Sequence, residues 1–476
     1  MSGLTSGLAL RSCHRIFGLQ RSRTSSRFYS SDPDKFVSIG SVKKRISIPK
    51  NPEFVPKQYL PKDLSKEKLQ DLKWLLQKDL LGQDIFLLGR PGPLRRTLAQ
   101  QYLELTGREM EYVSLSRDTT ESDLKQRREI LAGTAFYRDQ SAVLAATEGR
   151  VLVLDGIEKV ERNVLPVLNN LLENREMHLE DGRLLIPAGR YDSLLEEHGQ
   201  EKMDQWRLVR VSPDFRVIAL GLPVPRYVGS PLDPPLRSRF QARDVRQVSY
   251  DQQLQVLTDL GPSLDPHLLS RLVSFSHTLV TEESASLGLP DFPLESLPTA
   301  VRLLNLVPSL SLYQVITSLY PYKMFLPPDG QKSVEDTMTT FSISPRSGSA
   351  DQLRLESVAR SSSDPGEVGV EVSTGGESHQ LKVCGGPCLE TSPDPRYVST
   401  DYHSRLLTSL LLSHGAASVF CVVGARGCGK TALVRQLAAL LGYKTETIQV
   451  SRSQWIFSII IIFEKLCTNN NFAAVQ

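Results

Sequence analysis

The chain has 476 residues, 40% of them apolar, so it can bury more than one core, and its length points to about two to four domains. Lys and Arg total 56 against 53 Asp and Glu, a net charge of +3, so no global field draws it to nucleic acid or an anionic membrane and no nucleic-acid partner is expected. Its six cysteines (Cys13, Cys384, Cys388, Cys421, Cys428, Cys467) are scattered. Cys384 and Cys388 have no second pair or histidine cluster nearby, which argues against zinc and fits a reducing compartment.

Residues 1–31 hold Arg11, Arg15, Arg21, Arg23 and Arg27, many serines and no acid before Asp32. That composition, without the apolar core of a secretory signal, predicts a mitochondrial transit peptide and a matrix address; a disordered basic tail is the alternative. Arg27-Phe28-Tyr29-Ser30 resembles a matrix-protease site, with cleavage after Tyr29. Residues 32–63 read as an extended leader rich in Pro and Lys, and 64–81 as an amphipathic helix.

A first nucleotide-binding unit, with its α/β module over 64–249, begins where the apolar run Ile85-Phe86-Leu87-Leu88 breaks into Gly89-Arg90-Pro91-Gly92-Pro93-Leu94-Arg95-Arg96. Its meaning comes from a second copy 335 residues later (424 − 89 = 335): Gly89 falls on Gly424, Gly92 on Gly427, Gly107 on Gly442, and Ser116-Arg117 on Ser451-Arg452. In the first copy, Leu94 stands for Gly429, Arg95 for Lys430 and Arg96 for Thr431. Arg95 keeps a charge for phosphate beside Gly89 and Gly92. Leu94 removes backbone freedom and Arg96 removes a Mg²⁺-binding hydroxyl, so nucleotide binding here stays open and efficient hydrolysis is not expected.

The run 149–159 (GRVLVLDGIEK) reads as a buried parallel strand carrying Asp155 at its carboxyl end, where α/β sheets place ligands, and Asp155 is expected to hold the Mg²⁺ shell. The next position is Gly156, which carries no acid, with Glu158 as a catalytic substitute or a helix-capping, solvent-facing residue. Residues 163–180 read as a helix and 215–220 as another buried strand. Arg237 and Arg239 follow in 231–240, either as salt-bridged surface residues or, for Arg239, as a trans-acting arginine finger. Residues 250–330 read as a small helical domain, and 331–402 as a flexible linker with one hairpin across 368–383.

The second copy, over 403–452, is the more legible. Val419-Phe420-Cys421-Val422-Val423 reads as a strand, and Gly424 to Thr431 is G-x-x-x-x-G-K-T, a phosphate-binding loop opening a helix. Gly424, Gly427, Cys428 and Gly429 wrap phosphate oxygens, Lys430 reaches the β- and γ-phosphates, and Thr431 ligates Mg²⁺, so ATP and Mg²⁺ are the expected cofactors. After Arg452 the repeat is lost, and 453–476 reads as a divergent tail. Its run 455–463 (WIFSIIIIF) is well short of the roughly 20 residues of a membrane span, so no transmembrane segment is expected. A half-module with uncovered faces predicts local instability beyond about Tyr402.

With these motifs in place, the chain resembles AAA+ ATPases of the dynein-related, MoxR-like branch. The resemblance rests on Ser116-Arg117-Asp118-Thr119-Thr120-Glu121-Ser122-Asp123-Leu124, the Asp155 strand, Arg175-Glu176-Met177-His178-Leu179-Glu180-Asp181-Gly182 and the 231–240 box, and runs from about Val42 to Arg452. It implies a P-loop NTPase α/β fold with a parallel sheet and a helical lid over 250–330, then a truncated second P-loop module. It also implies self-association into a ring, with Arg239 sensing a neighbour's nucleotide. The family's polar sensor falls at Leu222 and its second-sensor arginine at Leu294, which marks the first module as a degenerate, regulatory copy. The leading expectation is a mitochondrial ATP-binding protein that hydrolyses ATP in its complete form. A non-catalytic, nucleotide-regulated scaffold subunit is the alternative, and a P-loop kinase or GTPase lacks an acceptor-recognition signature.

Overall fold

The computed structural model describes residues 36–463 apart from 62–63, 282–283, 285–287, 346–352, 361–365, 375–376, 387–396, 426 and 453–454. The transit-peptide expectation over 1–31 lies outside the described residues. The chain divides between Gln247 and Val248 into two compact units.

In the first unit five strands make one sheet, apolar runs buried on both faces at its centre and more polar runs at its two edges. They are β1 (Asp84–Leu88), β2 (Met110–Ser114), β3 (Val151–Asp155), β4 (Arg216–Gly221) and β5 (Phe240–Asp244), all parallel, in the order β5-β1-β4-β3-β2. The register sets Ala219 of β4 opposite Phe86 of β1 and Leu154 of β3. Strand alternation sends Ile85 and Leu87 to one face and Phe86 to the other. The first face is covered by α1 (Lys66–Leu80), capped by the Ser65 side chain accepting from the Lys68 amide, and by α2 (Leu94–Thr106). Leu72, Leu75, Leu76, Leu98 and Leu103 are buried there, each worth roughly 1.5–3 kcal/mol. On the second face α3 (Ser141–Glu148) contributes Ala142, Val143, Ala145 and Ala146.

The leader is more structured than its composition suggests. Phe36–Ile39 and Val42–Arg45 pair as an antiparallel hairpin, and Lys44 donates to buried Asp79 of α1. Asp79 also accepts from Tyr102 of α2 and, at 2.9 Å, from Arg108, so one carboxylate ties leader, α1 and α2 together. Parallel pairing brings the carboxyl ends of β1, β3 and β4 to one edge, beside the start of α2.

In the second unit, helices Tyr250–Leu260, Pro266–Thr278, Leu297–Leu306, Leu312–Leu319 and Pro328–Thr340 share a core with α5 (Asp401–Gly415) and α6 (Lys430–Leu441). Within the span expected as a flexible linker, the hairpin expected across 368–383 forms as β7 (Glu367–Thr374) and β8 (Glu377–Cys384), and β6 (Arg354–Arg360) adds a third antiparallel strand to the sheet. Val368, Val370, Val372, Leu381 and Val383 point from it into the same core, an alternation that the surrounding serines and glycines hide in the composition.

The strand expected at 419–423 does not form. Val419 is 99% exposed and Val423 60%. In the first unit, β1 takes its ladder from β4 and β5; among the described residues of the second unit no strand plays either part. Lys444–Arg452 (β9) pairs antiparallel with Trp455–Phe463 (β10), whereas its counterpart β2 pairs parallel with β3. The repeat survives in the helices. α2 and α6 each stop at a left-handed glycine, Gly107 (φ 66°) and Gly442 (φ 76°), which are 335 residues apart (442 − 107).

Candidate functional site

The first loop runs from β1 into α2 and borders a cavity of about 420 Å³ lined by Pro91, Gly92, Pro93, Arg95, Arg96, Asp155, Glu158, Lys159 and Leu222. Gly89 packs so closely that a Cβ would lie 3.0 Å from the Val245 carbonyl and 3.4 Å from Arg95 Cδ. Arg95 is 8% exposed, and its Nε and Nη1 have no hydrogen-bond partner. Burial pulls its guanidinium below the usual range although Glu158 and Asp155 act in the opposite direction.

Asp155 does not stand ready for a metal. Arg96 donates to its Oδ2 through Nε at 2.9 Å and Nη2 at 2.6 Å, and Tyr112 Oη donates to the same oxygen at 2.6 Å. Burial alone would raise the Asp155 carboxyl, but these donors carry it below its ordinary value, and the Tyr112 hydroxyl is pushed well up. The expected Mg²⁺ position beside Asp155 is therefore filled by the side chain that replaces the loop hydroxyl.

The other first-unit residues are also engaged. Gly156 sits at φ 88°, where a Cβ would meet the Leu115 carbonyl and Lys159 Cδ, both at 3.1 Å. Glu158 is buried rather than solvent-facing and accepts from the Leu222 amide at 3.1 Å. Arg239, last residue of α4 (Pro234–Arg239), donates to Glu173 and to the Pro235 carbonyl. Leu294 is buried in the second unit's helical core.

In the second unit Gly427 (φ 80°) and Gly429 (φ 81°) turn the loop through left-handed backbone, which glycine alone adopts without strain. A Cβ on Gly424 would stand 2.9 Å from Cys428 Sγ, whereas Gly427 faces open space. Lys430 opens α6 and folds back, its Nζ donating to the Gly424 carbonyl at 2.8 Å and the Ala425 carbonyl at 2.6 Å, with Cys428 Sγ at 3.7 Å. An open cavity of about 370 Å³ is lined by Gly427, Gly429, Lys430, Thr431, Ala432 and Arg435. Arg435 and His403 escaped the sequence reading. Arg435 lies one turn past Thr431 on α6, a spacing that could have flagged it. His403, whose Nε2 is 3.3 Å from the Cβ position of Gly429, comes from α5 and carries no local signal.

A parallel five-stranded sheet with a glycine loop entering a helix at its carboxyl edge is the α/β fold of P-loop NTPases. Residues 84–240 and 419–456 match the AAA domain of the dynein-related subfamily. It is 51% identical over 428 residues to von Willebrand factor A domain-containing protein 8 of Mus musculus, a match that takes in 88% of this chain and 22% of that protein. The chain thus spans about a fifth of that relative's length. An uncharacterized protein of Staphylococcus saprophyticus is 24% identical over 224 residues, 44% of this chain and 75% of that protein. Among solved structures, a mutant RuvB of Thermotoga maritima is similar at 13% identity with a TM-score of 0.35, covering 62% of this chain and 82% of that one. No described helix is long and apolar enough to cross a membrane.

Proposed function

We propose that the chain is a mitochondrial matrix ATP-binding protein whose second loop grips ATP with Mg²⁺ and whose first module is a regulatory copy. The observation that carries this is Lys430, whose ammonium group already bridges the Gly424 and Ala425 carbonyls at the mouth of α6. There it meets the phosphate chain, while the backbone amides at the start of α6 supply the other donors. The exposed Thr431 hydroxyl and the open space above Gly427 fit a hydrated Mg²⁺, which when bound draws charge off the β- and γ-phosphate oxygens.

Turnover needs an acid facing that metal, and no described strand of the second unit supplies one. Asp155 belongs to the other unit's sheet and is held by Arg96. Binding without turnover is therefore the expected behaviour of this chain, with hydrolysis reserved for the complete form. Ring assembly through Arg239 requires that side chain to leave Glu173 for a neighbour's nucleotide.

Equilibrium dialysis with labelled ATP, run beside phosphate release, tests the reading. Lys430→Ala is expected to weaken Mg²⁺-dependent ATP binding at least about tenfold. Unchanged affinity refutes the second loop as the site. Binding without turnover is the outcome expected here and is shared with the scaffold role, whereas phosphate release that Glu158→Gln abolishes would assign turnover to the first module and refute its regulatory reading. Import of the full chain into isolated mitochondria, with N-terminal sequencing, checks the address and cleavage after Tyr29.

A further inference from the structure

In an intact loop of this kind a lysine meets the phosphates, while a hydroxyl and a strand-end acid hold Mg²⁺. The first unit has rebuilt each of these places in a consistent way. The lysine position is Arg95, the hydroxyl position is Arg96, and Arg96 has closed on the acid. Asp155 Oδ2 accepts from Arg96 twice, at 2.9 and 2.6 Å, and from Tyr112 at 2.6 Å. No room is left on that oxygen for a divalent ion, and the group beside it is already cationic.

Arg95 is the second, independent sign. A guanidinium that is more than nine-tenths buried, its charge offset through space by Glu158 and Asp155 but its Nε and Nη1 making no hydrogen bond, is a costly arrangement that a bound anion relieves. It borders the same cavity, whose lining has three cationic side chains (Arg95, Arg96, Lys159) against two carboxylates, Asp155 and Glu158. Three cations against two carboxylates leave one positive charge in excess (3 − 2 = 1), with Asp155 paired to Arg96 and Glu158 accepting the Leu222 amide. The remaining polarity favours an anion, and the volume of about 420 Å³ accommodates a phosphate chain.

We propose that the first-loop cavity binds the phosphate chain of a nucleotide or a free polyphosphate without any metal ion, Arg95 contacting it and Arg96 standing where Mg²⁺ stands in an intact loop. The inference does not depend on the second loop. It separates the two loops by their metal requirement.

The test uses the full chain carrying Lys430→Ala, so that failure of the second loop as an ATP site cannot be confused with failure here. Calorimetric titration with ATP, and separately with inorganic tripolyphosphate, is run in EDTA and in excess Mg²⁺. The expected result is about one ATP per chain in EDTA, with an affinity that Mg²⁺ changes by less than about threefold. Tripolyphosphate binding as tightly as ATP supports recognition of the phosphate chain alone; tighter binding of ATP supports contact with the nucleoside as well. Adding Arg95→Met is expected to weaken binding at least about tenfold and to abolish the ligand-induced rise in Tm, without lowering the ligand-free Tm. Should that variant fail to fold, the half-exposed Arg96 serves instead. Arg96→Thr frees Asp155, and ATP binding should fall about tenfold in EDTA and recover with Mg²⁺. Absence of binding in EDTA for both ligands, a requirement for Mg²⁺ in the Lys430→Ala chain, or undiminished binding by a folded Arg95→Met chain overturns the proposal.

Discussion

Replacing Asp79 by Asn tests how the first unit is held together behind its loop. Asp79 is 4% exposed at its side chain and faces Arg108 at 2.9 Å, Arg216 at 3.5 Å, Lys44 and the Tyr102 hydroxyl. Burial alone would raise its carboxyl, yet Arg108 and Lys44 lower it from 3.8 to about 2. A folded-state pKa below the unfolded one means stability that is present above about pH 4 and lost as the pH falls toward 2. The gap of nearly two units corresponds to about 2–3 kcal/mol. Lys44 does not mirror this: burial outweighs its pairing and lowers its ammonium, so the stabilisation is centred on the carboxylate and Arg108. The Asn variant also leaves the buried Arg108 uncompensated, which puts the loss at about 3–5 kcal/mol, or roughly 6–20 °C in Tm for a domain of this size. Calorimetry at pH 7 and pH 3 should show a large deficit that narrows on acidification. A variant melting within about 2 °C of the parent, or a deficit equal at both pH values, would refute the reasoning.

Other outcomes follow from the same structure. Gly156→Glu places a side chain on backbone at φ 88°, so it should cost about 1–2 kcal/mol in chemical denaturation and yield no gain in phosphate release; restored turnover would show the backbone readjusting. Arg150→Ala leaves Glu109, Glu111 and Glu148 without their shared partner and uncovers the Phe54 ring 4.1 Å away, with an expected loss of about 3 kcal/mol by urea titration. Thermolysin should cut first within 419–424, where Val419 and Val423 are exposed and unpaired, while α5 and α6 persist because Leu407, Leu411, Leu433 and Leu437 are buried. Early cleavage within α5, seen by mass spectrometry, would contradict that packing.

What the sequence disclosed, and what it withheld, follows from the range of the interactions involved. The glycine loops, the helices after them and the Asp155 strand are local patterns, and the repeat amplified them. β5 was obscure because FQARD has one buried apolar residue, Phe240, and forms only as an edge against β1. The strand expected at 419–423 had the right composition but no neighbours to bond with, since a parallel ladder is made by distant chain. The β7–β8 hairpin showed in its alternating valines, whereas β6 was hidden for the opposite reason, its apolar alternation being thinned by serine and charge. Arg96 could be seen to lack a hydroxyl; that it would reach Asp155, 59 residues away, depends on the fold.

The backbone at Gly156 has a bearing on how such a module changes over generations. At Gly156 the main chain holds a conformation that tolerates almost nothing larger than hydrogen, and Lys159 occupies the space beside it. A glutamate introduced there by a single codon would meet a peptide not shaped to receive it. The site thus behaves as a ratchet: each neighbour packed around this glycine raises the number of simultaneous substitutions needed to place a carboxylate there.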